Sequence, residues 1–374
     1  MAILRRSTNF EVLRLLAMLM IVACHAVLHL SWYATPTPPV TALAALKGSF
    51  CYLVVQYGQV GVTLFFMISG YFLVNKPFKW SRVSKTWLQT WLYGMICLAA
   101  TLLLRAFYHL PKGVERLFVG DQLPNTTIQC LFPFTWNAYW FITAYLCMLL
   151  LSPVLNAGLL NTSKRTTGAL IALLVFVGLW PSLGARVGYW NGLLEGILGY
   201  CAGAWIRLHA IETRTTYSKA CGALMIASTA LMLIYNYLNL RQAPIALFLK
   251  WNSNVKDGLR SAPCVVAACI FLLFKGWSPS LGAKSEQLLL RSAHATFGVY
   301  LLHENIFAFR MLWPLLEKVF PAPDGLQSEF FLGIAAVLAL FVILDIAAML
   351  IDSIVVLPIQ SAIRLRLNNF DHTR

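Results

Sequence analysis

The sequence predicts an all-α, polytopic membrane protein with about ten transmembrane helices and both termini cytoplasmic. Three observations carry that reading. Of 374 residues, 59% are hydrophobic and only 11% charged, whereas a soluble domain carries about a quarter charged residues. Charge this sparse cannot coat a soluble surface of that size, and the same figures exclude a disordered chain. The apolar residues gather in ten runs near the ~20-residue length that crosses a bilayer. Most of the 29 Lys and Arg lie between those runs, where orientation signals belong.

In chain order the runs are Phe10–Leu30, Phe50–Val74, Val83–Phe107, Tyr139–Leu155, Gly168–Leu183, Trp190–Leu208, Lys219–Leu240, Leu259–Phe274, Ala293–Leu316 and Phe330–Leu357. Aromatic residues mark their ends (Trp32, Tyr33, Tyr139, Trp140, Tyr189, Trp190, Trp277) as an interfacial belt does. With the N-terminus inside, the cytoplasmic ends collect Arg5, Arg6, Lys76, Lys79, Arg82, Lys85, Lys164, Arg165, Arg207, Arg214, Lys219, Lys275, Lys284, Arg291, Arg364, Arg366 and Arg374. The longest connection, Tyr108–Ala138, then lies outside, followed in length by Arg241–Gly258. Residues 1–374 read as a single integral-membrane domain with no separate soluble domain. The formal charge of +15 forms no basic patch with interleaved aromatics, so no nucleic acid is expected as a partner. No Cys-x-x-Cys or other metal spacing occurs among the nine cysteines. Cys51 and Cys130 fall toward the outer face, where two thiols are favoured over a disulfide.

Ionisable groups inside a span are costly, about 2.5–3.5 kcal/mol at a helix centre, and tend to be kept for a role. The first run, NFEVLRLLAMLMIVACH, holds Glu11, Arg14 and His25. At 100° per residue, three steps and then eleven bring all three onto one helical stripe. That stripe, with Met18, Ile21 and Val22 between, faces other helices rather than lipid. Arg14 lies shallow enough to snorkel to the headgroups as a topology anchor. His25 stands about 22 Å along the helix from Phe10, either as a functional imidazole or as a partner in an interhelical hydrogen bond. The second run, GQVGVTLFFMISGYFLV, offers Phe66, Ser69, Gly70 and Tyr71; Ser69 and Gly70 suit close helix packing. Tyr139 and Trp140, opening the fourth run, read as interfacial anchors. In the ninth run, FGVYLLHENIF, His303 and Glu304 are helical neighbours about 100° apart, so both are not expected at one small site. Asp345 and Asp352 share a face of the last run, with a structural helix contact as the default.

Together these segments resemble the integral-membrane acyltransferase family 3, which includes bacterial O-acetyltransferases of surface polysaccharides. The Arg14-x10-His25 spacing is similar to that family's first-span motif, with Glu11 where many members carry Asp. FFMISGYF resembles its F-F-x-x-S-G signature, Trp140-Phe141 its W-F, and FGVYLLHENIF its Y-x-x-Y-L-x-H pattern without the proline that commonly follows. Agreement is strong at the first, second and ninth runs. The resemblance implies transfer of an acyl group, most simply acetyl, from cytoplasmic acyl-CoA to a hydroxyl of a surface glycan or lipid-linked sugar. No bound cofactor is implied, acetyl-CoA being a substrate, and the location is the cell membrane among its lipids. No segment resembles the appended esterase-like domain of some members, so no second acyl-handling site is expected. It further implies His25 as general base or acyl carrier, Arg14 facing the anionic CoA and Glu11 orienting Arg14. Phe66, Ser69, Tyr71, Trp140, His303 and Glu304 become the substrate-binding candidates. The competing reading is a transporter or flippase for a lipid-linked sugar, against which stand the missing internal repeat and the lack of paired, broken helices.

Overall fold

A computed structural model describes residues 8–30, 40–183, 191–209, 215–251, 259–321 and 326–363. Trp32, Tyr33, Tyr189, Trp190, Arg5, Arg6, Arg214, Arg364, Arg366 and Arg374, invoked above for the belt and the orientation, lie outside the described residues. The described α-helices are α1 (Thr8–His29), α2 (Ala42–Leu73), α3 (Trp80–Phe107), α4 (Lys112–Glu115), α5 (Gln122–Leu131), α6 (Trp140–Asn161) and α7 (Lys164–Val177). They continue with α8 (Gly192–Leu208), α9 (Thr215–Leu240), α10 (Pro244–Phe248), α11 (Ala262–Lys275), α12 (Ala283–His303), α13 (Ala308–Val319) and α14 (Leu326–Ile351). No strand occurs among the described residues.

Among the described residues each of the ten apolar runs is largely helical, because a backbone in lipid must satisfy its polar groups within its own segment. Among the described residues, six helical segments are long and apolar enough to cross a membrane: Thr8–His29, Ala42–Leu73, Trp80–Phe107, Asn137–Asn161, Tyr217–Leu240 and Phe330–Ile363. The ninth run departs from the expectation of one continuous span. It breaks after His303 and resumes as α13 at Ala308. The connection at 108–138 is also more ordered than a plain loop, since it winds into α4, α5 and short 3-10 turns.

The helices gather into two packing units. The first comprises Met1–Phe78 and Cys147–Glu286. Its centre is α2, against which α1, α8, α9 and α11 pack. Buried Leu13, Ala17, Val60, Leu64, Met67, Ile206, Met232, Val266 and Phe271 form the core. Approach between α2 and α8 is as close as backbone allows: a Cβ on Gly70 would overlap the Tyr200 carbonyl, and one on Gly203 would overlap the Met67 carbonyl. In lipid, where apolar burial gives helices little reason to associate, such close van der Waals packing is a main source of cohesion. Polar contacts add to it. The buried Glu195 carboxylate on α8 accepts from Gln59 and, at 3.1 Å, from the Thr63 hydroxyl, both on α2. The Gln56 and Asn236 amides bond reciprocally between α2 and α9 at 3.0 and 3.3 Å.

The second unit comprises Lys79–Leu146 and Gln287–Arg374. Val114, Leu117 and Cys130 of the 108–138 segment pack with Cys97, Ile306 and Phe307. Asp352, on a π-helical turn that continues α14, is buried and accepts from Tyr93 (2.8 Å) and Gln89 (3.1 Å) of α3. This is the structural helix contact expected for it. Asp345 is buried one face-repeat earlier on α14. None of the nine cysteines, Cys51 and Cys130 included, is in a disulfide.

Candidate active site

The first group is built on α1. Glu11 sits in its first turn, where a carboxylate meets the positive end of the helix dipole. Three residues on, Arg14 Nη1 reaches both Glu11 carboxylate oxygens, at 2.7 and 2.8 Å. The Glu11 side chain is 4% exposed and that of Arg14 26%, so the carboxylate is sealed in while the guanidinium keeps an open side. A charge-assisted bond of this kind is among the stronger ones available to a protein. The predicted stripe is real: Met18, Ile21 and Val22 between Arg14 and His25 are all buried. His25 itself is half-buried, and its ring lies 6.1 Å from that of His29, one turn on.

The N-terminal end of α1 is pinned by the Asn9 amide, which donates to the Phe274 carbonyl at 2.8 Å. Beside it the Phe10 ring packs against Tyr71, Phe72 and Phe271, with centroids 5.1–5.4 Å apart. Tyr71, a substrate-binding candidate, is thereby fixed next to the Glu11–Arg14 end of α1. The structure adds Arg207 to this end, which the sequence offered only as a topology marker. Its guanidinium lies 5.1 Å over the Tyr71 ring and donates to the Tyr71 hydroxyl at 3.4 Å. Phe66 is fully buried and fills the space above Gly196 and Gly199 of α8. The Ser69 hydroxyl donates to the Phe65 carbonyl one turn back, at 2.9 Å.

The second group lies at the break between α12 and α13. His303 is fully buried, with Nδ1 2.7 Å from the Val299 carbonyl. A carbonyl can only accept, so Nδ1 carries the proton, and in the neutral ring Nε2 is the acceptor. Glu304 is buried as well, and a ring nitrogen of His303 and a carboxylate oxygen of Glu304 lie within 4.8 Å of one another. Helical spacing sets the two residues 100° apart, yet their side chains converge: the Glu304 N–H still bonds the Tyr300 carbonyl at 3.2 Å, and the backbone leaves the helix only at Asn305. Tyr139, expected at the interface, is instead buried, and its hydroxyl donates to the Leu301 carbonyl at 2.6 Å. Trp140 opens α6 with about a third of its surface exposed.

A family model described as an acyltransferase domain, that of acyltransferase family 3, matches residues 7–349. The chain belongs to this family. It is a membrane acyltransferase, and the matched region takes in both groups just described. Neither a curated protein nor a solved structure matches the chain.

Proposed function

We propose that this acyltransferase moves an acyl group, most simply acetyl, from cytoplasmic acyl-CoA to a hydroxyl of a cell-surface polysaccharide or glycoconjugate at the outer face. The observation that carries the reading is the Glu11–Arg14 pair on the buried face of α1, with His25 on the same face three turns on. Arginine suits phosphate through its planar fork. A guanidinium held by a buried carboxylate and open on one side is pre-aimed at an anionic donor. Arg207, braced on Tyr71 beside Phe10, supplies a second positive charge at that end. His25 has an imidazole suited to general-base work near neutral pH. It takes the proton of the acceptor hydroxyl as the oxygen bonds to the thioester carbonyl carbon. The C–S bond breaks, and the CoA thiolate leaves and is protonated. His303 and Glu304 bind the acceptor.

The test offers labelled acetyl-CoA to the purified protein in vesicles, with surface glycan as acceptor. Label is expected in the glycan as an ester, and its absence refutes the reading. Label trapped in a rapid quench and mapped to the His25 imidazole would make His25 the acyl carrier instead of the base.

A further inference from the structure

The break between α12 and α13 is made by side chains from a distant segment. In a helix that continued through residue 305, the Leu301 carbonyl would accept from the Asn305 N–H, four residues on. Here the Asn305 N–H turns to the Leu302 carbonyl at 3.3 Å, and the Tyr139 hydroxyl takes Leu301. The Glu304 carbonyl accepts from the Trp136 indole N–H at 2.9 Å. Asn305 closes the arrangement, with its amide donating to the Tyr139 oxygen at 3.3 Å and its side-chain oxygen accepting from the Phe307 N–H at 3.0 Å. The Tyr300 hydroxyl donates back to the Ala138 carbonyl at 2.7 Å. Arg310 braces Trp136 from the far side, 5.3 Å over its ring. Where water is excluded, an unsatisfied backbone carbonyl costs several kcal/mol, so two donors placed here decide where the helix stops.

We propose that Tyr139 and Trp136 are positioning residues for the His303–Glu304 pair: they occupy the carbonyls that would continue α12, break the helix there and keep imidazole and carboxyl side by side. This rests on the acceptor-binding role given above to that pair. Without the Tyr139 hydroxyl, the cheapest partner for Leu301 is again the Asn305 N–H. The helix then lengthens through Asn305, the Glu304 carbonyl turns from the Trp136 indole toward the Ala308 N–H, and the Glu304 carboxyl shifts away from His303.

The experiment compares Tyr139→Phe and Trp136→Phe with the wild type in the labelled acyl-transfer assay, measuring folded yield, kcat and the KM for acetyl-CoA. Both variants keep an aromatic ring and lose one donor. Since about 1 Å of misplacement costs on the order of 10²-fold in rate, kcat per folded molecule should fall at least tenfold in both. The KM for acetyl-CoA should stay within about twofold, because the donor is met at α1. Unchanged kcat in either variant overturns the proposal, as does a loss confined to folded yield. If one variant cannot be purified folded, the other decides by the same criteria. Wild type that transfers no label refutes the proposed function and this inference with it. Wild-type transfer with unaffected variants refutes this inference alone.

Discussion

His25 stands between two buried neighbours, Cys24 and Ala26, yet is itself only half-buried. A purely structural histidine and a reacting one respond very differently to truncation. Loss of one interhelical hydrogen bond in a membrane costs about 0.6 kcal/mol on average, whereas loss of a general base costs about 10²–10⁴-fold in rate. His25→Ala should therefore reach near-normal folded yield while acyl transfer collapses, and more than about a tenth of wild-type transfer would remove the base role. Arg14→Lys keeps the charge and loses the fork on Glu11. It should raise the KM for acetyl-CoA more than it lowers yield, and its effect should be non-additive with that of His25→Ala. Arg207→Ala should raise the same KM and leave kcat nearly unchanged, as expected of a group that binds ground and transition states alike. Among these residues the Glu11–Arg14 pair was legible, because three steps on a helix bring side chains together regardless of tertiary context. Tyr139 was not, because an aromatic at the mouth of an apolar run looks the same whether it meets headgroups or a broken helix.

Between elements, the tightest constraint is the seam of α2 and α8. Gly70→Leu should lower folded yield through overlap with the Tyr200 backbone, an overpacking cost of about 1–3 kcal/mol. Ser69→Ala removes a hydroxyl whose partner is its own helix, so folding should be intact, and a fall in transfer would then mark Ser69 as functional. Glu195 gives a second test of the seam. Glu195→Ala leaves Gln59 and Thr63 facing an apolar gap, a penalty of about 1–3 kcal/mol, while Glu195→Gln keeps a polar partner and should retain more protein in a thermal melt in detergent. The run Trp190–Leu208 was legible as a helix, and a lone carboxylate within it was the available signal for Glu195. Its partners were hidden, because they sit on α2, more than a hundred residues earlier. The break after His303 was hidden for the same reason: the polar triplet His303-Glu304-Asn305 reads as functional side chains on a continuing span, and what interrupts it is Trp136 and Tyr139.

For the whole molecule, the proposed orientation is N-in and C-in with 108–138 outside, and it predicts a labelling pattern. A cysteine introduced at Gly113 or Gln122 should react with an impermeant reagent from outside, and one at Lys79 or Lys164 should not. Outside labelling at Lys79 would reverse the orientation. The helical class was legible throughout, since composition and run length constrain a chain in lipid far more than one in water. The helices inside 108–138 were not, because segments as short as Lys112–Glu115 carry no periodicity to read. The seating of α2 bears finally on how the chain is made. Its face toward α8 is complete only when Tyr200 and Gly203 exist, long after the ribosome has released Gly70. At about 5–20 residues per second, that interval is on the order of ten seconds. During it α2 can pair with α1 and nothing else of that seam. The nascent chain therefore passes through a state in which α2 carries a bare backbone groove where α8 will seat, a natural target for an insertase or a membrane protease.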